Sequence, residues 1–132
     1  MQAPYQQMLI LVAAGFDEQL VTHWTVSRHQ LGLAVTLVGL AAGTARDRHG
    51  LRLKVDRTLE TLPPERAVLV LLPGESGYVY QVLQDPRVHR LLREVVAAGG
   101  TLYTCAPRLL EGVDLPVQPA QALAMADEQE NS

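Results

Sequence analysis

The sequence predicts an α/β fold with a mainly parallel sheet that is covered by helices on both faces. The first observation is a set of short, continuous apolar runs at residues 8–13, 33–38, 67–72 and 101–104. Such runs are typical of strands that are buried on both faces of a parallel sheet. The second observation is that helical patterns alternate with these runs along the chain. Alternating strands and helices indicate parallel strands that are joined by helical crossovers.

Length and composition favour one folded domain. The chain has 132 residues, of which 48% are hydrophobic and 19% charged, a balance typical of globular domains rather than disordered chains. We predict a single domain over residues 8–119, a flexible lead-in over residues 1–7, and a short helix with an acidic disordered tail over residues 120–132. The formal charge of −3 arises from acids in that tail, so the domain itself is neutral. A neutral domain without a basic stripe argues against binding to nucleic acid or to an anionic membrane.

The chain contains one cysteine, Cys105, so it cannot form an intrachain disulfide. A single cysteine favours a reducing compartment, and we expect a cytoplasmic protein. The apolar run at residues 8–14 is too short to span a bilayer, and no basic region precedes it. We therefore expect neither a membrane span nor a signal peptide.

The first helix, predicted over residues 17–31, has signals at both ends. Asp17 and Glu18 favour its first turn through the helix dipole, and Gly32 ends it. Leu20 and Trp24 are spaced to lie on its inner face.

Three weaker segments separate the second and third predicted strands. Residues 41–50 are small and charged, which predicts a loop. Residues 51–55 alternate between apolar and basic side chains, which predicts a half-exposed strand at a sheet edge. Residues 61–66 contain two prolines and are predicted to form a turn.

The second half of the chain contains shorter helical segments. Residues 77–84 are predicted to form a short helix, and Asp85-Pro86 begins a longer one that ends before Gly99. Residues 106–111 are predicted to form one or two helical turns, and residues 113–119 an extended segment.

Three segments follow predicted strands and are candidates for a binding site. They are residues 15–18, 73–77 and 105–108, and in open α/β sheets ligands bind beyond the carboxyl ends of the strands. We predict one crevice around them. Its predicted lining consists of Gly15, Asp17, Glu18, Leu20, His23, Gly74, Glu75, Ala106 and Pro107.

Cys105 is the candidate nucleophile or redox thiol. It directly follows a strand and precedes a helical segment, a turn that presents a side chain outward as in a nucleophile elbow. The start of a helix stabilises a thiolate and lowers its pKa. The alternative is a small buried cysteine that serves only in packing.

The other candidate groups each have a structural alternative. The amides after Pro73-Gly74 are candidates for binding an anion or oxyanion, although a plain turn is the commoner meaning of this pair. His23 lies three residues beyond Leu20, so it either faces the crevice or is a partly buried helix residue. We expect the remaining histidines to be solvated, namely His29, His49 and His89. Because no histidines have ligand-like spacing near a carboxylate or the cysteine, we expect no metal site and no cofactor.

Taken in order, these features resemble the ThiJ/PfpI superfamily, the class I glutamine-amidotransferase-like fold, which includes the parkinsonism-associated redox protein. The similar features are a first strand that ends at Gly15, the Pro73-Gly74 turn after a later strand, and a strand that ends at Cys105. The resemblance covers residues 8–110. It implies a three-layer, flavodoxin-like sandwich that is shortened at its C-terminus in this chain.

The sequence departs from this superfamily around the cysteine. Leu20 occupies the position of the carboxylate that hydrogen-bonds the cysteine in the family, and Glu75 replaces the second glycine of its Pro-Gly-Gly turn. Pro107 lacks an N–H donor at the start of the last helical segment. The chain ends soon after Cys105, with no histidine beyond it.

These departures favour a pseudoenzyme, a non-catalytic or regulatory protein that binds a small ligand or a protein partner at the crevice around Cys105. Two alternatives remain: a cysteine-dependent enzyme or redox sensor of the same superfamily, and a sulfur-relay protein of the DsrE type that carries persulfide on Cys105. Under all three we expect a homodimer or a protein partner to bury exposed apolar surface.

Overall fold

We describe residues 7–30, 32–61 and 67–111 of a computed structural model. The predicted segments at 1–6, 113–119 and 120–132, and most of the turn at 61–66, lie outside these residues. The described strands are β1 Gln7–Val12, β2 Ala34–Gly39, β3 Thr44–Arg46, β4 Arg52–Lys54, β5 Arg57–Thr58, β6 Ala67–Leu72 and β7 Thr101–Thr104. The described helices are α1 Glu18–Gln30, α2 Ser76–Val82, α3 Pro86–Ala97 and α4 Pro107–Glu111, with a 3₁₀ turn at Leu59–Thr61. None of these helices is long and apolar enough to cross a membrane.

The predicted α/β fold is confirmed, with a five-stranded parallel sheet in the order β5-β2-β1-β6-β7. The continuous apolar run in β1 lies in the middle of this sheet, where Met8 and Ile10 are fully buried. The connection from β1 to β2 moves toward one edge of the sheet, and the connection from β6 to β7 moves toward the other edge. Because such crossovers are right-handed, α1 and α3 cover opposite faces of the sheet.

The core fills the space between the sheet and the helices. Trp24 of α1 is fully buried, and its ring centroid lies 4.7 Å from that of Tyr103 in β7. The opposite face is covered by the apolar stripe of α3. Its buried side chains are Val88, Leu91, Leu92 and Val95.

The predicted loop at residues 41–50 is wrong in part, because Thr44–Arg46 form β3. This strand pairs antiparallel with Arg52–Lys54 in a separate two-stranded ribbon, so the predicted strand at 51–55 does not lie at the edge of the main sheet. The two edges of that sheet are β7 and the two-residue β5, Arg57–Thr58. Strands of two and three residues carry too little periodicity to be recognised, since long-range pairing defines them.

Candidate functional site

The candidate site lies where the carboxyl ends of β1, β6 and β7 meet. Strand β2 lies on one side of β1 and β6 lies on its other side, so the strand order reverses at β1. Because the connections leave the ends of β1 and β6 in opposite directions, a crevice opens between these two strand ends. In the loop after β1, Gly15 has a φ of +88°, a conformation that glycine adopts without strain. The Asp17 N–H donates to the carbonyl of Pro73 at 2.8 Å. The structure thus joins two of the segments that the sequence placed at this edge.

Tyr78 of α2 lines the crevice and holds the end of β1 through two hydrogen bonds. Its hydroxyl donates to the carbonyl of Leu11 at 2.6 Å and accepts from the N–H of Ala13 at 3.0 Å. Burial raises the pKa of Tyr78, so the hydroxyl keeps its proton. Its ring packs so closely on Gly74 that a Cβ at that position would lie 2.5 Å away. From the sequence, Tyr78 was predicted only to lie in a short helix.

The crevice is a cavity of about 220 Å³. Its lining consists of Gly15, Asp17, Arg48, Gly74, Glu75, Gly77 and Tyr78. Four residues of the predicted set are therefore brought together. The other predicted residues do not line this cavity, namely Glu18, Leu20, His23, Cys105, Ala106 and Pro107. Leu20 is only 2% exposed and belongs to the core, while His23 is half-buried farther along α1.

Cys105 is exposed at the end of β7, beside the crevice carboxylates. No described residue makes a hydrogen bond to its thiol. Burial of the sulfur, together with the negative charges of Asp17 and Glu75, raises the pKa of Cys105. A negative charge at Glu75 is expected to raise the pKa of the thiol, and the pKa is raised. The start of a helix is expected to lower it, which is the opposite direction. The helix that follows, α4, has only five residues and begins two positions after Cys105.

Arg48 links the crevice to the turn between β3 and β4. Its guanidinium lies 3.4 Å from Asp17 Oδ2 and 3.2 Å from Glu18 Oε2. The Nδ1 atom of His49 lies 2.9 Å from Glu18 Oε1, and the His49 side chain is 62% exposed, in agreement with the expected solvated position. Although desolvation opposes it, hydrogen bonding to its own backbone N–H and to Arg48 lowers the pKa of Glu18. Sequence analysis missed this cluster because Glu18 and Arg48 are 30 positions apart.

Comparison with known proteins decides the family. The model of the DJ-1/PfpI family matches residues 6–110. The chain belongs to this family. A search of curated protein sequences finds no significant relative.

Solved structures of the DJ-1 superfamily have the same fold. DJ-1beta of Drosophila melanogaster superposes with a TM-score of 0.74 at 22% identity, over 84% of this chain and 61% of the fly protein. A cysteine-to-alanine mutant of a DJ-1 superfamily protein from Salmonella typhimurium gives a TM-score of 0.68 at 22% identity, over 83% and 61% of the two chains. Oxidized DJ-1 of Toxoplasma gondii gives 0.67 at 16% identity, over 76% and 56%. The chain thus spans about three fifths of the length of these relatives.

In this member of the DJ-1/PfpI family, amides beside the cysteine are already engaged. The N–H of Ala106 donates to Thr104 Oγ1 at 3.0 Å, and Pro107 has no N–H. The N–H of Gly74 donates to the carbonyl of Leu72 at 3.1 Å. These two N–H groups are thus used within their own turns, whereas the amides that the sequence names as candidates for anion binding are the later ones, those of Glu75 and Ser76.

Proposed function

We propose that the chain is a non-catalytic or regulatory member of the DJ-1/PfpI family that binds a small ligand or a protein partner at the crevice around Cys105. The observation that carries this proposal is the electrostatic environment of the thiol. Its pKa is raised by burial and by two carboxylates, Asp17 and Glu75. The protonated thiol is a poor nucleophile, and the crevice contributes no positive charge in hydrogen-bonding contact with it.

The surroundings of Cys105 also lack the groups that activate a catalytic cysteine. Leu20 stands at the position where the resemblance implies a carboxylate partner, and its side chain is buried in the core. His23 does not line the crevice. A nucleophile needs a base within hydrogen-bonding reach, and no described residue makes that contact with Cys105.

The size and chemistry of the crevice favour a small occupant. Its volume of about 220 Å³ is below the roughly 300–1,000 Å³ of typical ligand pockets. Two acidic residues, Asp17 and Glu75, are among its lining residues. The carboxylate of Glu75 makes no hydrogen bond or ion pair with any described residue. A small ligand, or a partner's side chain that donates hydrogen bonds, fits this arrangement.

Titration of Cys105 alkylation by iodoacetamide against pH tests the proposal. Because the pKa of the thiol is raised, we expect the rate to stay low at neutral pH and to rise with a midpoint above the value of a free thiol, about 8.5. Glu75→Gln removes one of the opposing charges and should move the midpoint to lower pH. Glu94→Gln, at an exposed position on α3, is the matched control and should leave it unchanged.

Two outcomes would contradict the proposal. A midpoint below that of a free thiol would favour the alternative of a redox sensor or a thiolate enzyme. Turnover of an amide, a peptide, a hydratase substrate or a glyoxal that disappears in Cys105→Ala would establish an enzyme directly. Loading of Cys105 with persulfide from a sulfur donor would favour a sulfur-relay role, which the family match itself does not support.

We further propose that a second copy of the chain covers an apolar groove between α1 and β2. The groove encloses about 570 Å³. It is lined by Val21, Thr22, Thr25, Val26, Ala34, Val35, Leu37, Leu53 and Asp56. Beside it, β5 pairs only with Val38 and Gly39, so the first half of β2 has no strand neighbour on that side among the described residues. Two identical open edges related by a twofold axis pair with each other and bury both grooves.

Sedimentation of the purified chain at micromolar concentration tests this dimer. Val26 is 53% exposed at the groove, so Val26→Glu places a charge at the interface and should yield a monomer. Tyr80→Glu changes a side chain that is 61% exposed outside the groove and should leave the dimer intact. A monomeric parent chain would show that the groove is not covered by a second copy.

The single cysteine of the chain suits a reducing compartment, so we propose the cytoplasm as the location of this dimer.

A further inference from the structure

The turn between β3 and β4 and the start of α1 bring together three metal-ligating side chains. Glu18, Asp47 and His49 each offer one ligand atom, and these atoms all lie within 4.8 Å of one another. A second cavity of about 250 Å³ adjoins them, and both Glu18 and Asp47 line it. This cavity is separate from the one beside Cys105, whose lining includes none of the three.

Asp47 is the fixed member of the set. It is only 7% exposed, and its Oδ1 accepts from the N–H of His49 at 2.8 Å and of Leu51 at 2.9 Å. Its Oδ2 accepts no hydrogen bond from any described residue, and no basic side chain in the described ranges lies within 4 Å of it. A buried carboxylate without a cation is costly, so this position favours a bound positive charge.

The surrounding charges also favour a cation. Asp17, Glu18 and Asp47 contribute three carboxylates, whereas Arg48 is the cation paired with the first two. Arg48 makes its shortest contact to Glu18 at Oε2, and the other oxygen of that carboxylate faces His49. Arg48 also donates to that oxygen, from Nε and Nη2 at 3.4 Å each, so a metal ion that binds Oε1 has to displace these two longer contacts.

We propose that Glu18, Asp47 and His49 bind a divalent transition-metal ion, with Zn²⁺ as the ion that this donor set suits. Two carboxylates and one imidazole are ordinary zinc ligands, and three protein ligands leave a position for water. Asp47 is oriented by backbone amides before the metal arrives, and the exposed imidazole of His49 turns from Glu18 to the ion. The proposal is independent of the function of the Cys105 crevice.

Calorimetric titration of the tag-free full-length chain with Zn²⁺ tests the site. We expect one ion per chain, and we expect His49→Gln and Glu18→Gln each to weaken binding by about tenfold or more, as loss of even a supporting partner does at metal sites. The imidazole of His49 is 62% exposed, so its loss should leave the fold intact. Circular dichroism of the variant checks this. His89→Gln, on α3 and outside the set of three ligands, should bind Zn²⁺ as the parent does.

A variant of the cysteine tests whether Zn²⁺ binds at Cys105 instead of at the three proposed ligands. Cys105→Ser should keep the parent affinity, because the thiol is not part of the set. Loss of binding in Cys105→Ser, or unchanged binding in both His49→Gln and Glu18→Gln, would overturn the proposal. Absence of any Zn²⁺ binding by the parent chain would overturn it as well.

Discussion

Gly74→Ala is expected to lower the free energy of unfolding by about 2 to 3 kcal/mol, the upper part of the roughly 1 to 3 kcal/mol that extra volume costs in a packed site. The added Cβ would lie 2.5 Å from the Cβ, Cγ and Cδ2 atoms of Tyr78. The ring has little freedom to move away, because its hydroxyl is bonded to the carbonyl of Leu11 and the N–H of Ala13. Urea denaturation followed by circular dichroism measures the loss.

Gly77→Ala is the matched control, because this glycine lies three residues farther along and has no atom within 4 Å of an added Cβ. Its backbone has no positive φ, so alanine is tolerated there. We expect a gain of about 0.4 to 1 kcal/mol from the smaller entropy of the unfolded chain. Equal effects of the two substitutions would show that contact with Tyr78 does not explain the requirement for glycine at position 74.

Tyr78→Phe is expected to lower the free energy of unfolding by about 2 to 4 kcal/mol, since a buried polar group that loses its partner costs about 1 to 3 kcal/mol. The substitution removes the acceptor of the Ala13 N–H and the donor to the Leu11 carbonyl. The ring itself is retained, so packing is nearly unchanged. Thermal and urea unfolding both report the change.

Tyr80→Phe removes the same hydroxyl from a side chain that is 61% exposed, and should change stability by less than about 0.5 kcal/mol. If Tyr78→Phe is equally neutral, water replaces the hydroxyl and Tyr78 does not anchor β1. Should Tyr78→Phe also alter alkylation of Cys105, the anchor would position the crevice as well as stabilise the core.

Much of the fold is predictable from sequence because its strands and helices have strong local patterns. The run at 8–13 became β1, Gly32 follows the end of α1, and Asp85 caps α3 by accepting from the N–H of Arg87. β3 was missed because Thr44–Arg46 has no apolar periodicity of its own. Its strand geometry comes from pairing with Arg52–Lys54.

The candidate site was predictable only where it depends on strand ends. Asp17, Gly74, Glu75 and Cys105 all follow strands of one parallel sheet, so topology alone brings them near each other. Arg48 and its neighbours in the turn reach the site from a ribbon outside that sheet, and no spacing in the sequence indicates this. A weak signal was present, since an Asp followed three residues later by Gly50 is typical of a tight turn.

The two sides of the loop after β1 have different resistance to local opening. On one side the loop is held by Tyr78 and the Pro73 carbonyl within the buried interior. On the other it is held by Arg48 and the ribbon, through two backbone hydrogen bonds and exposed ion pairs. Local fluctuations begin where burial is least. The ribbon side of this loop is therefore expected to open locally before the side that is held by Tyr78 and the Pro73 carbonyl.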